Sequence, residues 1–203
     1  ELNVKFFTFE ANSLYEACSS RLRIFNYKNI NQYEKILYID TDILITGNLN
    51  KIFNLNIEEK LYAVEEFGSR KWHYFLWKKE KLRWLPKNAF STGVLLFLNC
   101  DKIKELFQET YNHIQTHMKE KKKMPSSVDQ PFIIYHCYQK KIYDNNLLND
   151  YITLVFNVSQ EEFINQYEKY NKKILLHHVG TGTGGADIKI KLLSNFFEKI
   201  KNL

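Results

Sequence analysis

Tyr33-Glu34-Lys35-Ile36-Leu37-Tyr38-Ile39-Asp40-Thr41-Asp42-Ile43-Leu44-Ile45-Thr46-Gly47-Asn48-Leu49 is the stretch on which the reading of this chain turns. The apolar run Ile36–Ile39 stops at Asp40-Thr41-Asp42, and a second run, Ile43–Ile45, follows before the breaker Gly47. Short runs rich in β-branched and aromatic residues between turn signals predict buried strands. In extended backbone residues i and i+2 share a face, so Asp40 and Asp42 aim together and Thr41 points away. Two carboxylates converging at a strand end repel one another unless positive charge lies between them. A divalent cation with phosphate oxygens in its shell suits such a pair. Taken alone the pattern is weak, since D-x-D arises by chance about once per 200 residues at ordinary Asp usage. By itself it is better explained as a solvated strand end using Asp to turn the chain; its place after a strand and the motifs downstream favour the metal reading.

Outward from this stretch, further segments read as strands and helices in alternation. Asn3–Phe9 predicts a strand, and Ser13 is an N-cap candidate for a helical segment running to Tyr27. A short helix is expected around Leu49–Phe53 and a strand over Leu61–Glu65. Phe67–Lys87 is aromatic and basic without a clean period, the pattern of a long surface loop near a site. Phe90–Asn99 (F-S-T-G-V-L-L-F-L-N) is a strong strand whose Gly93 marks close approach of backbone to another group. Asp101–Met118 is an amphipathic helix with Ile103, Leu106, Phe107, Tyr111 and Ile114 on one stripe. Asp129-Gln130-Pro131 opens another helix, with proline in its first turn. Short strands follow near Ile142 and over Tyr151–Phe156, then a helix over Gln160–Tyr170. The strand Ile174–Leu176 ends in His177-His178, the loop Val179–Ala186 is glycine-rich, and a closing helix carries Ile188, Leu192, Phe196 and Ile200 on one face. Strands alternating with helices imply an α/β domain with a mostly parallel sheet flanked by helices. In such sheets ligands collect beyond the carboxyl ends of strands, which lets His177 meet Asp42, while backbone N–H groups of the glycine-rich loop can cradle phosphate.

Composition bounds the alternatives. The chain has 203 residues, 44% hydrophobic and 15% aromatic, enough for one core and one domain over 1–203. It carries 29 basic against 23 acidic residues, a net charge of +6, which favours anionic partners. The only dense basic run, Lys119–Lys123 (K-E-K-K-K), is short and has no interleaved aromatics, so no nucleic-acid partner is expected. Cys18, Cys100 and Cys137 are widely spaced, against a disulfide framework or zinc site and for reduced thiols. No leader-like segment opens the chain and no apolar stretch reaches membrane-spanning length, so a cytoplasmic protein without a membrane span is expected.

The ordered motifs E-K-I-L-Y-I-D-T-D-I-L (34–44), F-S-T-G-V-L-L-F (90–97), D-Q-P-F-I (129–133) and H-H-V-G (177–180) resemble glycosyltransferase family 8, the glycogenin-like and bacterial galactosyltransferase group. The resemblance runs from about Ser19 to Gly180. It implies a GT-A, Rossmann-like fold, a UDP-sugar donor with UDP-glucose as the default, and hexose transfer with retention to a protein or glycan acceptor. The implied cofactor is Mn2+, with Mg2+ as the alternative ion; an imidazole beside two carboxylates itself favours the borderline Mn2+. Residue by residue, it makes Asp40, Asp42 and His177 the metal ligands, Asp42 also bridging to the donor phosphates. Arg21, in S-R-L-R-I, matches the basic residue that holds the donor, with Ser91 and Gly180 also on the donor side. Asp129 and Gln130 match the pair near the sugar on the reacting face; Asp129 alone could equally be an N-cap. Three departures stand out. Ser91 replaces the usual asparagine, Thr183 replaces a lysine for which Lys189 is the nearest substitute, and Asp40 arrives about 60 residues early, as though the first nucleotide-binding β-α-β were missing. The rival readings are an incomplete transferase serving as a binding or structural module, and a haloacid-dehalogenase-like phosphatase with Asp40 as nucleophile and Asp42 as acid. The phosphatase fits less well, because such enzymes place Thr or Val where Leu44 stands. A homodimer is left open.

Overall fold

Strand β1, Lys35–Ile39, forms on the apolar run that precedes the acidic pair. The computed structural model describes residues 6–66, 76, 89–125, 127–156, 173–179, 190–191, 193–195 and 197–198. Before β1 the chain winds through helix α1, Leu14–Ser19, and a 3-10 helix over Ser20–Asn26. Ser13 caps α1 as its side chain predicts, Oγ accepting from the Glu16 N–H at 3.2 Å, while Glu16 Oε2 accepts from the Asn12 N–H at 2.6 Å. Phe6–Phe9 form no strand, contrary to expectation. Their rings pack on neighbours instead: Phe7 lies 4.5 Å from Phe9 and 5.2 Å from Tyr27 between centroids.

Among the described residues the further strands and α-helices are β2 (Ile43–Ile45), α2 (Asn50–Phe53), β3 (Leu61–Glu66), β4 (Ala89–Leu98), α3 (Asp101–Lys119), α4 (Gln130–Lys140), β5 (Tyr143–Asp144), β6 (Ile152–Phe156) and β7 (Leu175–Val179). The segments expected at Phe67–Lys87 and Gln160–Tyr170 lie outside the described residues, apart from Leu76. The described positions within 190–198 are helical, as the closing helix requires.

Two sheets result, one in the order β1-β4-β3-β5 and one in the order β2-β7-β6. The α/β class stands, but the expectation of a mostly parallel sheet is corrected. Among the described strands β4 runs antiparallel to both β1 and β3, and β7 runs antiparallel to β2; only β3–β5 and β6–β7 are parallel. Alternating apolar runs fix where strands form, not their direction, and antiparallel neighbours accept connections of any length.

Each face of the first sheet has its own core. On one side Leu61, Ala63, Phe90, Leu95 and Phe97 meet α3 and α4 through Ile103, Leu106, Phe107, Ile114, Phe132 and Ile133. On the other, Tyr62, Val64, Val94 and Leu96 pack with Ile152, Ile174 and Leu175 of the second sheet region. Each fully buried large side chain of this kind contributes about 1.5–3 kcal/mol. The stripe on α3 keeps helical spacing: Ile103, Leu106, Phe107, Thr110, Ile114 and His117 are its buried residues.

One irregularity prepares the site. Tyr62 opposes Leu96 but Val64 opposes Ser91, so β3 and β4 slip register between them. The extra residues bulge β4 around Gly93, and Val94 and Leu96 face the second core while Phe90, Leu95 and Phe97 face the first. Bulges re-aim side chains and backbone groups beside functional sites. Here the Gly93 carbonyl accepts from the Asp40 N–H at 2.8 Å, and the Thr92 carbonyl accepts from Arg21 Nη1 at 2.7 Å.

Candidate active site

Asp40 and Asp42 occupy the turn between β1 and β2, not an extended segment. They come together with His177 all the same, and the strand pairing explains why. Ile43 of β2 is the direct partner of His177 on β7, so the register sets the imidazole beside Asp42, one residue earlier. His177 therefore lies inside β7, where its position after Leu176 had suggested a strand end. His177 Nε2 is 3.4 Å from Asp42 Oδ1. Among the described residues, ligand atoms of Asp40, Asp42 and His177 all lie within 4.8 Å of one another.

Gly93 makes room for the ring. A Cβ on it would lie 2.1 Å from His177 Cε1 and 2.7 Å from Nε2, so no larger residue fits beneath this imidazole. Behind the ring, Ser91 Oγ is 3.4 Å from Nδ1. If Nδ1 carries the proton towards Ser91, Nε2 keeps the lone pair that a cation needs. Two carboxylates and an imidazole form a mixed oxygen and nitrogen donor set; the carboxylates suit Mn2+, and the imidazole is a ligand that a transition-metal ion takes, so the residues present fit the metal that the motifs imply.

On the other side of Asp40 stands Arg21, delivered by the 3-10 helix. Its Nη1 is 3.2 Å from Asp40 Oδ1 and its Nε is 2.9 Å from Asp129 Oδ2, with only 13% of the side chain exposed. Tyr38 completes this corner, its hydroxyl donating to Asp40 Oδ1 at 2.5 Å and its ring 4.8 Å from the Arg21 guanidinium carbon. Burial works against the Arg21 charge, yet Asp129, Tyr38 and Asp40 hold it firmly protonated. Burial raises the Tyr38 phenol pKa, against the pull of Arg21. Burial likewise lifts Asp129 to about 6, outweighing the opposing pull of Arg21.

Asp129 stands at the N-cap position of α4, where its carbonyl accepts from the Phe132 and Ile133 N–H groups, but its side chain makes no cap hydrogen bond and turns to Arg21 instead. Its neighbour Val128 is a β-branched residue at φ 44° and 8% exposed, a conformation that costs free energy and that tends to gather at functional sites. Gln130 Nε2 donates to Glu66 Oε2 and to the Phe90 carbonyl, both at 2.8 Å. The structure thus joins Arg21, Asp40, Asp42, Ser91, Asp129 and His177 into one continuous corner, with Gln130 at the adjoining helix start. Gly180, Thr183 and Lys189 lie outside the described residues. Sequence reasoning passed over Tyr38, Thr92 and Glu66. Tyr38 was within reach, since it shares the strand face of Asp40 by i,i+2 spacing, and Glu66 is a nearly buried charge at the end of an apolar strand.

Comparison with known proteins bears on the family and the fold. A curated relative, glycosyltransferase GlyA of Streptococcus pneumoniae serotype 4, is 29% identical over 137 residues, which cover 54% of this chain and 19% of the relative. Among solved structures, a glycosyltransferase involved in glycosylation of the major capsid of PBCV-1 has a TM-score of 0.56 at 12% identity, over 93% of this chain and 81% of its own. The galactosyltransferase LgtC, in complex with donor and acceptor sugar analogues, has a TM-score of 0.51 at 17% identity, over 91% of this chain and 66% of its own. These likenesses show the fold, an α/β architecture of the GT-A type. The chain spans about a fifth of the curated relative's length. The sequence model of the glycosyl transferase family 8 matches residues 5–182, from ahead of α1 through β7 and into the glycine-rich loop, and the chain belongs to that family.

Proposed function

We propose that the chain is a retaining hexosyltransferase that takes a UDP-sugar, UDP-glucose first, and passes the hexose to a protein or glycan acceptor beside Mn2+. The observation that carries this reading is the convergence of Asp40, Asp42 and His177 on one point, drawn from the β1–β2 turn and from β7. A divalent ion bound there would neutralise donor phosphates and offset the charge that grows on the departing nucleotide. Asp40 and Asp42 would supply oxygen ligands and His177 a nitrogen. Arg21 holds Asp40 and Asp129 on its two sides, which fixes the spacing between the metal end and the sugar end of the site. Asp129 and Gln130 would face the sugar on the reacting side, their orientation set by Arg21 and by Glu66 with the Phe90 carbonyl.

The test is release of UDP from UDP-glucose, UDP-galactose and UDP-N-acetylglucosamine, with Mn2+ and with chelator. Metal-dependent release is expected with one donor above the others. Asp42→Ala should lower it about 100-fold or more, the scale of losing one stabiliser of transition-state charge, with an unchanged circular dichroism spectrum. Full activity in Asp42→Ala, or donor binding without release from any UDP-sugar, contradicts the proposal; the second outcome describes a binding module.

A further inference from the structure

A metal site is only as well ordered as the groups that stand behind its ligands. His177 has Ser91 behind it and Gly93 beneath it. Asp40 is held differently. Its N–H is tied to the Gly93 carbonyl at 2.8 Å, which fixes the backbone but leaves the carboxylate to turn about its side-chain bonds. Among the described residues, two groups reach that carboxylate, and both reach the same oxygen: the Tyr38 hydroxyl at 2.5 Å and Arg21 Nη1 at 3.2 Å from Oδ1.

These two partners act in opposite senses. Arg21 carries a full charge, is largely buried, and would draw the carboxylate inward towards itself and away from a cation on the other side. Tyr38 is a neutral donor that anchors Oδ1 at the strand face without bringing competing charge. It also restrains Arg21, because its ring lies 4.8 Å from the guanidinium carbon, an arrangement attractive to a cation over an aromatic face. Arg21 in turn holds Asp129 through Nε at 2.9 Å. A single side chain therefore touches the metal end by its polar tip and the link to the sugar end by its face. Phenylalanine would keep the face and lose the tip, and leucine would lose both. The position on β1 enforces the arrangement: Leu37 and Ile39 point into the core shared with the second sheet, and Tyr38 packs against the core on the α3 side.

We infer that Tyr38 is a positioning residue of this site, its hydroxyl holding the Asp40 carboxylate in the orientation that a cation requires and its ring holding Arg21 between Asp40 and Asp129. The inference rests on the reading that Asp40, Asp42 and His177 share one ion. It extends that reading to a residue outside the cluster of Asp40, Asp42 and His177.

Mn2+ alone, titrated into the protein and followed by the electron paramagnetic resonance signal of the free ion, tests it without any turnover. Tyr38→Phe should bind Mn2+ about 10-fold or more weakly, the usual cost of removing a group behind a metal ligand. Its thermal midpoint in chelator should stay close to that of the parent protein, because the partly buried ring is retained against the core. Tyr38→Leu should add a rise in the KM for UDP-glucose at saturating Mn2+ that Tyr38→Phe does not show, reporting the loosened Arg21. Asp42→Asn serves as the reference. If Asp42→Asn loses Mn2+ while Tyr38→Phe binds it as tightly as the parent or more so, the role of the hydroxyl is refuted and the metal site stands. If Tyr38→Leu matches Tyr38→Phe in KM, the role of the ring is refuted. If the parent protein itself takes up no Mn2+, the metal reading falls and Tyr38 with it.

Discussion

Gly93 is the position where one added carbon does most damage. Alanine there would set a Cβ 2.1 Å from His177 Cε1, 2.7 Å from Nε2 and 2.8 Å from Nδ1, so the imidazole must swing away. Gly93→Ala should cost about 1–3 kcal/mol in stability, as overpacking does, and should weaken Mn2+ binding in the same variant, measured by denaturant unfolding and metal titration. The sequence marked Gly93 as a point of close approach but could not say what approaches, because His177 lies 84 residues later and comes near only through β2–β7 pairing. The cluster of Asp40, Asp42 and His177, which could hold a metal ion, was legible residue by residue from its motifs. Tyr38 offered only its i,i+2 spacing to Asp40, and Glu66 only its place at the end of an apolar strand, because both side chains act on other side chains.

At the scale of elements, α4 brings two titrating groups into the fold, one at each end of its packing. Asp129, just before the helix, titrates near 6 in the folded chain against an ordinary 3.8. The native state then binds its proton more tightly than the unfolded chain does, so this carboxyl removes stability as pH rises from about 3.8 to about 6. His136, on α4, is pushed down to about 4 from 6.5 by burial first and by His113 of α3 next. His113 Nδ1 and His136 Nε2 are 3.1 Å apart, with Glu109 and Lys140 beside them. The unfolded chain binds this proton more tightly, so His136 removes stability as pH falls from 6.5 to about 4. Each shift corresponds to about 3 kcal/mol across its window, and the two slopes oppose one another. In metal-free protein the stability profile between pH 4 and 6.5 should therefore be shallow. Asp129→Asn should make stability climb with pH, and His136→Gln should make it fall, both read from urea midpoints; a flat profile in either variant would contradict the assigned shift. Element existence was legible throughout this region, from the stripe on α3 to Pro131 in the first turn of α4. Strand direction was not, because a buried strand reads the same whichever way it runs, and neither was the bulge at Gly93, which depends on how β3 and β4 slip past each other.

For the whole molecule, the account says that two sheets are pinned together where one ion is shared between the β1–β2 turn and β7. A ligand that binds only the folded state stabilises it by about 2.7 kcal/mol at 100 times its dissociation constant, or roughly 5–10 °C in a domain of this size. Mn2+ should raise the thermal midpoint of the protein by that amount and leave His177→Ala unmoved, measured by scanning calorimetry. Family membership and fold class could be read from four short motifs in order, although fewer than forty residues carry them; the donor sugar and the acceptor depend on pocket walls that no motif encodes. The most direct measurement is diffraction at the manganese absorption edge from a crystal grown with Mn2+. The account predicts one anomalous peak per chain in contact with Asp40, Asp42 and His177 together. A peak elsewhere, or one that touches the carboxylates and leaves His177 out, would contradict it.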